Sequence, residues 1–191
     1  MTKIGLFYGS NDGHTEDVAE RIKAAFDDYE PDIVSVANIA HASVDDIGRW
    51  DKLIFGIPTW NIGQLQDDWY IFFPDMDRLD LTRKKVAIFG LGDQYEYSST
   101  FLDAVGTLAD KVMERGGDLI GLWPAQGYAF ESSLALEGDY FLGLALDEDH
   151  QPELTDERIK AWVAQLAKEF GLSTRQSMIE NAQIGNVVRY T

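Results

Sequence analysis

The stretch from Lys3 to Phe26, KIGLFYGSNDGHTEDVAERIKAAF, reads as strand, phosphate-sized loop and helix in one unbroken pass. Lys3 to Tyr8 is a short apolar run with a β-branched Ile4 and no turn residue, the pattern of a strand buried on both faces. Gly9 to Thr15 then turns the chain. Val18, Ile22 and Phe26 recur every four residues, placing one apolar stripe on a helix whose other side carries Glu16, Asp17, Glu20 and Lys23. A helix starting near Thr15 aims its first free N–H groups and the positive end of its dipole back into the loop, which makes an anion site. The loop has no Gly-Lys-Ser/Thr, so it is not a Walker loop, and with only Gly9 and Gly13 it lacks the three-glycine dinucleotide fingerprint. Its hydroxyls and amides, Ser10, Asn11, Gly13 and Thr15, suit a terminal phosphate monoester better than a pyrophosphate. An ordinary polar strand-to-helix turn would use the same residue types.

Further along, Asp32 to Asn38 is expected to form a second strand, and Ser43 with Asp46 three residues later opens a short helix ending near Trp50. Lys52 to Ile57 and Lys85 to Leu91 are the third and fourth buried strands. Between them, Pro58 to Gln66 is expected to be a polar and aromatic loop, and Asp67 to Phe73 a helix stopped by Pro74. Phe101, Val105, Leu108 and Val112 form a helical stripe ended by Gly116 and Gly117. Asp118 to Leu122 is a fifth strand, residues 123–139 are rich in turns, and Tyr140 to Leu146 is strand-like again. Thr155 is expected to cap a last helix with Ile159, Trp162, Val163, Leu166 and Phe170 on its apolar face. Strands alternating with helices of this length give an α/β fold, a doubly wound parallel sheet with helices on both faces. Ligands then bind beyond the carboxyl ends of the strands, where residues 9–15, 58–66 and 91–99 form loops.

The chain has no cysteine, which excludes a disulfide, a thiolate nucleophile and a cysteine-ligated iron–sulfur cluster, so redox chemistry would need a bound cofactor. His14, His41 and His150 show no metal-ligand spacing, and no metal is expected. The apolar runs are too short to span a bilayer and no leader pattern opens the chain, so a cytoplasmic protein is expected. A formal charge of −17 argues against nucleic acid or an anionic membrane as a partner and for basic protein surfaces.

Four ordered stretches carry a resemblance: LFYGSNDGHTE, GIPTWNIGQLQDDW, FGLGDQ with Tyr97 after it, and GLALDEDHQPELTDERI. From Lys3 to about Leu172 the sequence resembles a long-chain flavodoxin, a carrier of single electrons on non-covalent FMN. The resemblance implies five parallel strands in the order 2-1-3-4-5, with an insertion in the last strand where residues 123–139 lie. It implies that Ser10, Asn11, Gly13, His14 and Thr15 cradle the FMN phosphate and that Trp60 and Tyr97 flank the ring. Thr59, Asn61, Ile62, Gly63, Leu91, Gly92 and Asp93 would line the ring edges, and the peptide joining Asn61 to Ile62 would rotate on reduction to offer its carbonyl to the ring. It also implies a monomer whose partners are basic redox proteins, such as a flavodoxin/ferredoxin-NADP reductase and an acceptor enzyme.

One departure matters. The family's phosphate loop usually has Thr where this chain has Asp12. A carboxylate facing the phosphate at ~4 Å would be repelled by about 4 kcal/mol per unit charge at an effective dielectric of ~20. Alternatively it turns outward and accepts bonds from the loop or caps the following helix. Other readings are an FMN-dependent quinone reductase of related fold, which needs an open pocket over the ring, and a divergent copy with weakened FMN binding that acts as a binding module. Residues 1–172 are expected to form the FMN-binding domain, and the tail 173–191, with no sustained period, is expected to be disordered.

Overall fold

In the computed structural model, which describes residues 3–172, the apolar runs assemble into one parallel sheet. The elements follow as β1 (Ile4–Tyr8), α1 (His14–Asp27), β2 (Val34–Asn38), α2 (Val44–Gly48), β3 (Lys52–Trp60), β4 (Gln64–Leu65), α3 (Asp67–Phe72), β5 (Lys85–Leu91) and α4 (Asp103–Glu114). Then come β6 (Asp118–Ile120), β7 (Trp123–Pro124), β8 (Leu136–Glu137), β9 (Tyr140–Phe141), β10 (Leu144–Leu146) and α5 (Thr155–Glu169). The spatial order is β2, β1, β3, β5, and the last position is filled in two pieces. β6 runs parallel to Lys85–Ala87 and β10 parallel to Phe89–Leu91, which is the expected 2-1-3-4-5 arrangement with its fifth strand interrupted. Between the two pieces the chain leaves the sheet and forms a small antiparallel sheet in the order β7-β9-β8.

Alternation along each strand sends side chains to two separate cores. Ile4, Leu6, Ile54 and Phe89 face α1 and α5, where Val18, Ile22, Phe26, Trp162 and Leu166 meet them. Phe7, Leu53, Phe55, Val86 and Ile88 face the other way, against Ile47 of α2, Trp69 of α3 and Val105, Leu108 and Val112 of α4. Each fully buried aliphatic or aromatic side chain stabilises by about 1.5–3 kcal/mol relative to exposure. The helix stripes read from sequence are therefore the surfaces that cover the sheet.

The Ser43–Asp46 capping box is present at α2, with Ser43 Oγ accepting from the Asp46 N–H. Several boundaries differ from expectation. β3 does not stop at Ile57 but runs through Pro58 to Trp60, because Thr59 and Trp60 pair antiparallel with Leu65 and Gln64; the expected loop 58–66 is mostly a hairpin. Pro74 ends the α-helix yet continues as the start of a 3-10 turn over Phe73–Arg78, a position where its missing N–H costs nothing. The strand expected over 140–146 breaks at Leu142 and Gly143, with its first half in the small sheet. Thr155 does not cap α5: it is the first residue of that helix, fully buried, and its hydroxyl donates to Glu148. The tail 173–191 lies outside the described residues.

Candidate functional site

The loops after β1, β3 and β5 meet at the carboxyl edge of the sheet, and a fourth, after β10, joins them. At the first, the Gly9 N–H donates to Gly56 O at 3.1 Å, tying the loop to β3. Gly9 has no room for a side chain, since a Cβ there would stand 2.1 Å from Gln66 Oε1 and 2.7 Å from Trp69 Cδ1. Gly13 takes a left-handed φ of 92°, and its N–H donates to Ser10 Oγ at 3.0 Å. Asp12 Oδ1 accepts the His14 N–H at 3.2 Å, while its Oδ2 lies 3.9 Å from His14 Nδ1. Asp12 has therefore turned back onto the first turn of α1. Thr15 is different: it is fully buried, and its Oγ1 has no hydrogen-bond partner among the described residues.

At the second loop, the hairpin between β3 and β4 turns through Asn61 (φ 47°) and Gly63 (φ 87°), and Asn61 Nδ2 donates to Gln64 Oε1 at 2.8 Å. Thr59 Oγ1 accepts the Ala104 N–H at 3.3 Å, which fastens the hairpin to the start of α4. Asp103 packs beneath the turn, so that a Cβ on Gly63 would lie 2.8 Å from its Oδ2. In the third loop, Asp93 Oδ1 accepts the N–H groups of Tyr95 (2.9 Å) and Glu96 (2.8 Å), and Gly92 N donates to Leu146 O at 3.0 Å.

These loops enclose a cavity of about 280 Å³. Of the residues singled out from sequence, Asp12, His14 and Thr15 line it from the first loop and Thr59, Trp60 and Asn61 from the second. Leu91, Gly92, Asp93 and Tyr97 line it from the third. The remaining five do not. Ser10 and Gly13 bond each other within the loop; Asn11 donates to Asp67 Oδ2 at 3.0 Å and accepts from Gln66 Nε2; Ile62 is 76% exposed at the hairpin tip; Gly63 lies against Asp103. These five shape the loops and are not among the residues that line the cavity.

Sequence reading missed Gln66, a fully buried amide that links the first two loops by donating to Asn11 Oδ1 and Asp68 Oδ2 while accepting the Trp69 N–H. It also missed Pro58, Thr100, Phe101 and Leu102, and Glu148 and Asp149 of the fourth loop, all on the cavity wall. Glu148 and Asp149 lie in the DEDHQ stretch already singled out; the signal was there but attached to no role. Thr100 Oγ1, like that of Thr15, is buried without a partner among the described residues. Burial also pushes the Tyr8 hydroxyl, at the end of β1, up to about 12, with Glu16 adding to the shift. The site thus has the N-terminal end of α1 with Thr15 at one side, aromatic residues Trp60 and Tyr97 in the middle, and acidic residues Asp93, Glu148 and Asp149 on its wall.

The family model described as flavodoxin matches residues 6–162. The chain is 50% identical over 170 residues to a flavodoxin of Nostoc sp., covering 89% of this chain and 98% of that protein. To a flavodoxin of Klebsiella pneumoniae it is 46% identical over 173 residues, covering 90% and 97%. Among solved structures, the Fusobacterium nucleatum flavodoxin bound to flavin mononucleotide superposes with a TM-score of 0.83 at 30% identity, over 88% of this chain and 99% of that one.

Proposed function

The chain belongs to the flavodoxin family and is an FMN electron carrier, not an enzyme, and we propose that FMN sits non-covalently in the cavity between the four loops. The observation that carries this placement is the buried, unpartnered Thr15 hydroxyl at the N-terminal end of α1, on the wall of a cavity that also holds Trp60 and Tyr97. A buried hydroxyl left unpaired costs about 1–3 kcal/mol, a cost that a phosphate oxygen accepting its proton would remove. The residues present fit the group.

When bound, FMN supplies the one-electron chemistry. Thr15, at the N-terminal end of α1, would bind the phosphate, favoured by the helix dipole. Trp60 and Tyr97 would flank the ring and shield it from water. The hairpin turn at Asn61 to Gly63 presents backbone groups to a ring edge, in left-handed conformations that Asn and Gly adopt readily. Leu91, Gly92 and Asp93 do the same from the third loop. The acidic rim makes added negative charge on the ring unfavourable: one carboxylate ~10 Å away at an effective dielectric of ~40 contributes ~0.8 kcal/mol. That is ~35 mV, since 59 mV is tenfold for one electron.

The chain passes electrons between redox partners. For these, a basic reductase of the flavodoxin/ferredoxin-NADP type and an acceptor enzyme fit the −17 charge, with the chain working as a monomer in the cytoplasm. No helix among the described residues is long and apolar enough to cross a membrane. Titration of flavin-free protein with FMN and with riboflavin tests the placement. FMN should bind at least tenfold more tightly, and Thr15→Val should remove most of that preference. Equal affinity for the two flavins would show that the phosphate does not meet the loop.

A further inference from the structure

His150, in the loop after β10, places its Nε2 3.1 Å from Asp93 Oδ1. The same oxygen accepts the N–H groups of Tyr95 and Glu96, so one carboxylate oxygen joins three donors from two loops. The imidazole is held on its other sides. Its backbone N–H donates to Asp147 Oδ1 at 3.0 Å, and the Tyr95 ring meets it edge-on with centroids 4.8 Å apart. Asp147, fully buried, also binds Gln94 through both its N–H and its side chain, which fixes the two loops to each other.

We propose that His150 is a positioning residue for Asp93: it holds the cavity-lining carboxylate in place and, when it takes up a proton, offsets that carboxylate's charge beside the flavin. The redox half of this inference rests on the FMN reading. A neutral imidazole with its hydrogen on Nε2 donates to Asp93 as a charged one does, so proton uptake changes the charge of the pair without breaking its geometry. Histidine is the side chain whose charge ordinarily changes between about pH 5 and 8. Asp93 and Tyr95 of the third loop meet the imidazole directly, and the other charged residues nearby along the chain are Glu96 of that loop and Asp147, Glu148 and Asp149 of its own. Arg158 of α5 reaches the neighbouring Gln151 Oε1 at 2.7 Å. This neighbourhood is mainly acidic, and a proton taken up by His150 would add the compensating charge on the side of Asp93. Added negative charge on the ring is then less unfavourable at acid pH than at alkaline pH.

The test compares the wild-type protein with His150→Asn, which keeps a donor and cannot be charged. In oxidised FMN-loaded protein, the backbone amide NMR signals of Tyr95 and Glu96 should move with pH across the histidine range in the wild type and stay still in the variant. The more negative one-electron couple should lie higher in the wild type than in the variant below that range, and the two should converge above it. The separation expected is about fourfold in equilibrium constant for a unit charge ~10 Å away at a dielectric of ~40, or ~35 mV where 59 mV is tenfold. Taking the difference removes the contribution of His14, which both proteins share. The same amide response in both proteins, or a wild-type minus variant difference that is constant with pH, overturns the proposal. If the wild type binds no FMN, the functional reading fails, and the amide comparison on the flavin-free chain still decides the pairing with Asp93.

Discussion

At Asp12 a carboxylate stands where the family usually places a hydroxyl donor, and its Oδ1 is engaged by the His14 N–H. The loop-bonded orientation follows from simple geometry, because an Asp just before a helix can accept an N–H two residues on. The side chain stays 55% exposed, so water screens it from a phosphate bound at Thr15. Asp12→Thr is expected to change FMN affinity by less than tenfold and to lower flavin-free stability by up to ~1 kcal/mol through the lost bond to the His14 N–H. Calorimetric titration of both proteins with FMN, with thermal melts beside it, decides this; a tenfold or larger gain in affinity would mean the carboxylate faces the phosphate. Tyr97, 46% exposed on the cavity wall, has no aromatic partner among the described residues to hold it. A ring stacked on it would gain about 0.5–1.5 kcal/mol beyond buried area. Tyr97→Ala should therefore weaken FMN several-fold in a fluorescence titration, and unchanged affinity would place Tyr97 away from the flavin.

The two helices on one side of the sheet, α1 and α5, are joined at their surface by Arg21, whose Nε and Nη2 donate to Asp156 Oδ1 at 3.1 and 2.7 Å. Hydrogen bonding to Arg21 and then its charge hold the Asp156 carboxyl below the usual carboxylate range. A carboxylate depressed in the folded state stabilises at pH above its unfolded value of ~3.9, and that contribution is lost as pH falls through the folded value. Asp156→Asn should thus lower stability at neutral pH by no more than ~1 kcal/mol, the usual ceiling for an exposed pair. Denaturant melts of the two proteins should converge in acid, and a difference that persisted there would show a loss unrelated to charge. Elements of this kind were legible in the sequence wherever one period dominated: Val18, Ile22 and Phe26 gave α1, and KVAIFGL gave β5. The β3–β4 hairpin was not, because Pro58 to Leu65 mixes Pro, Gly, Asn and Trp with no alternation, and only pairing with Gln64 and Leu65 makes Thr59 and Trp60 a strand. The split of residues 140–146 was hidden for the same reason, since an apolar run cannot say which of two sheets each half joins. On the cavity wall, Thr15, Thr59, Trp60 and Tyr97 were readable from motifs. Gln66 was not, because its role comes from burial and a bond to Asn11 of a loop far away in sequence.

For the molecule as a whole, the formal charge of −17 is the property that reaches furthest. The acids are not confined to one element: Asp67 and Asp68 begin α3, Asp93 and Glu96 follow β5, and Glu148 and Asp149 follow β10, all near the edge where the loops meet. Clusters of one sign on the face proposed to hold the cofactor would attract a basic partner over distances longer than any contact, raising the rate of encounter and turning that face toward it. Screening limits the reach to a Debye length of ~10 Å at 0.1 M salt and ~3 Å at 1 M. If the field of this face guides docking, electron transfer to a basic reductase, followed by stopped flow, should slow steadily as salt rises from 0.01 M through 0.1 M. The bound-state rate at saturating partner should change much less, because steering acts on encounter and not on the distance between cofactors once docked. Neutralising Glu96, exposed and off the cavity wall, should lessen the salt dependence while leaving FMN affinity near that of the wild type. A rate indifferent to salt in the unaltered protein would remove electrostatic guidance and leave shape and apolar contact, at residues such as Ile62 and Tyr97, to bring the partners together.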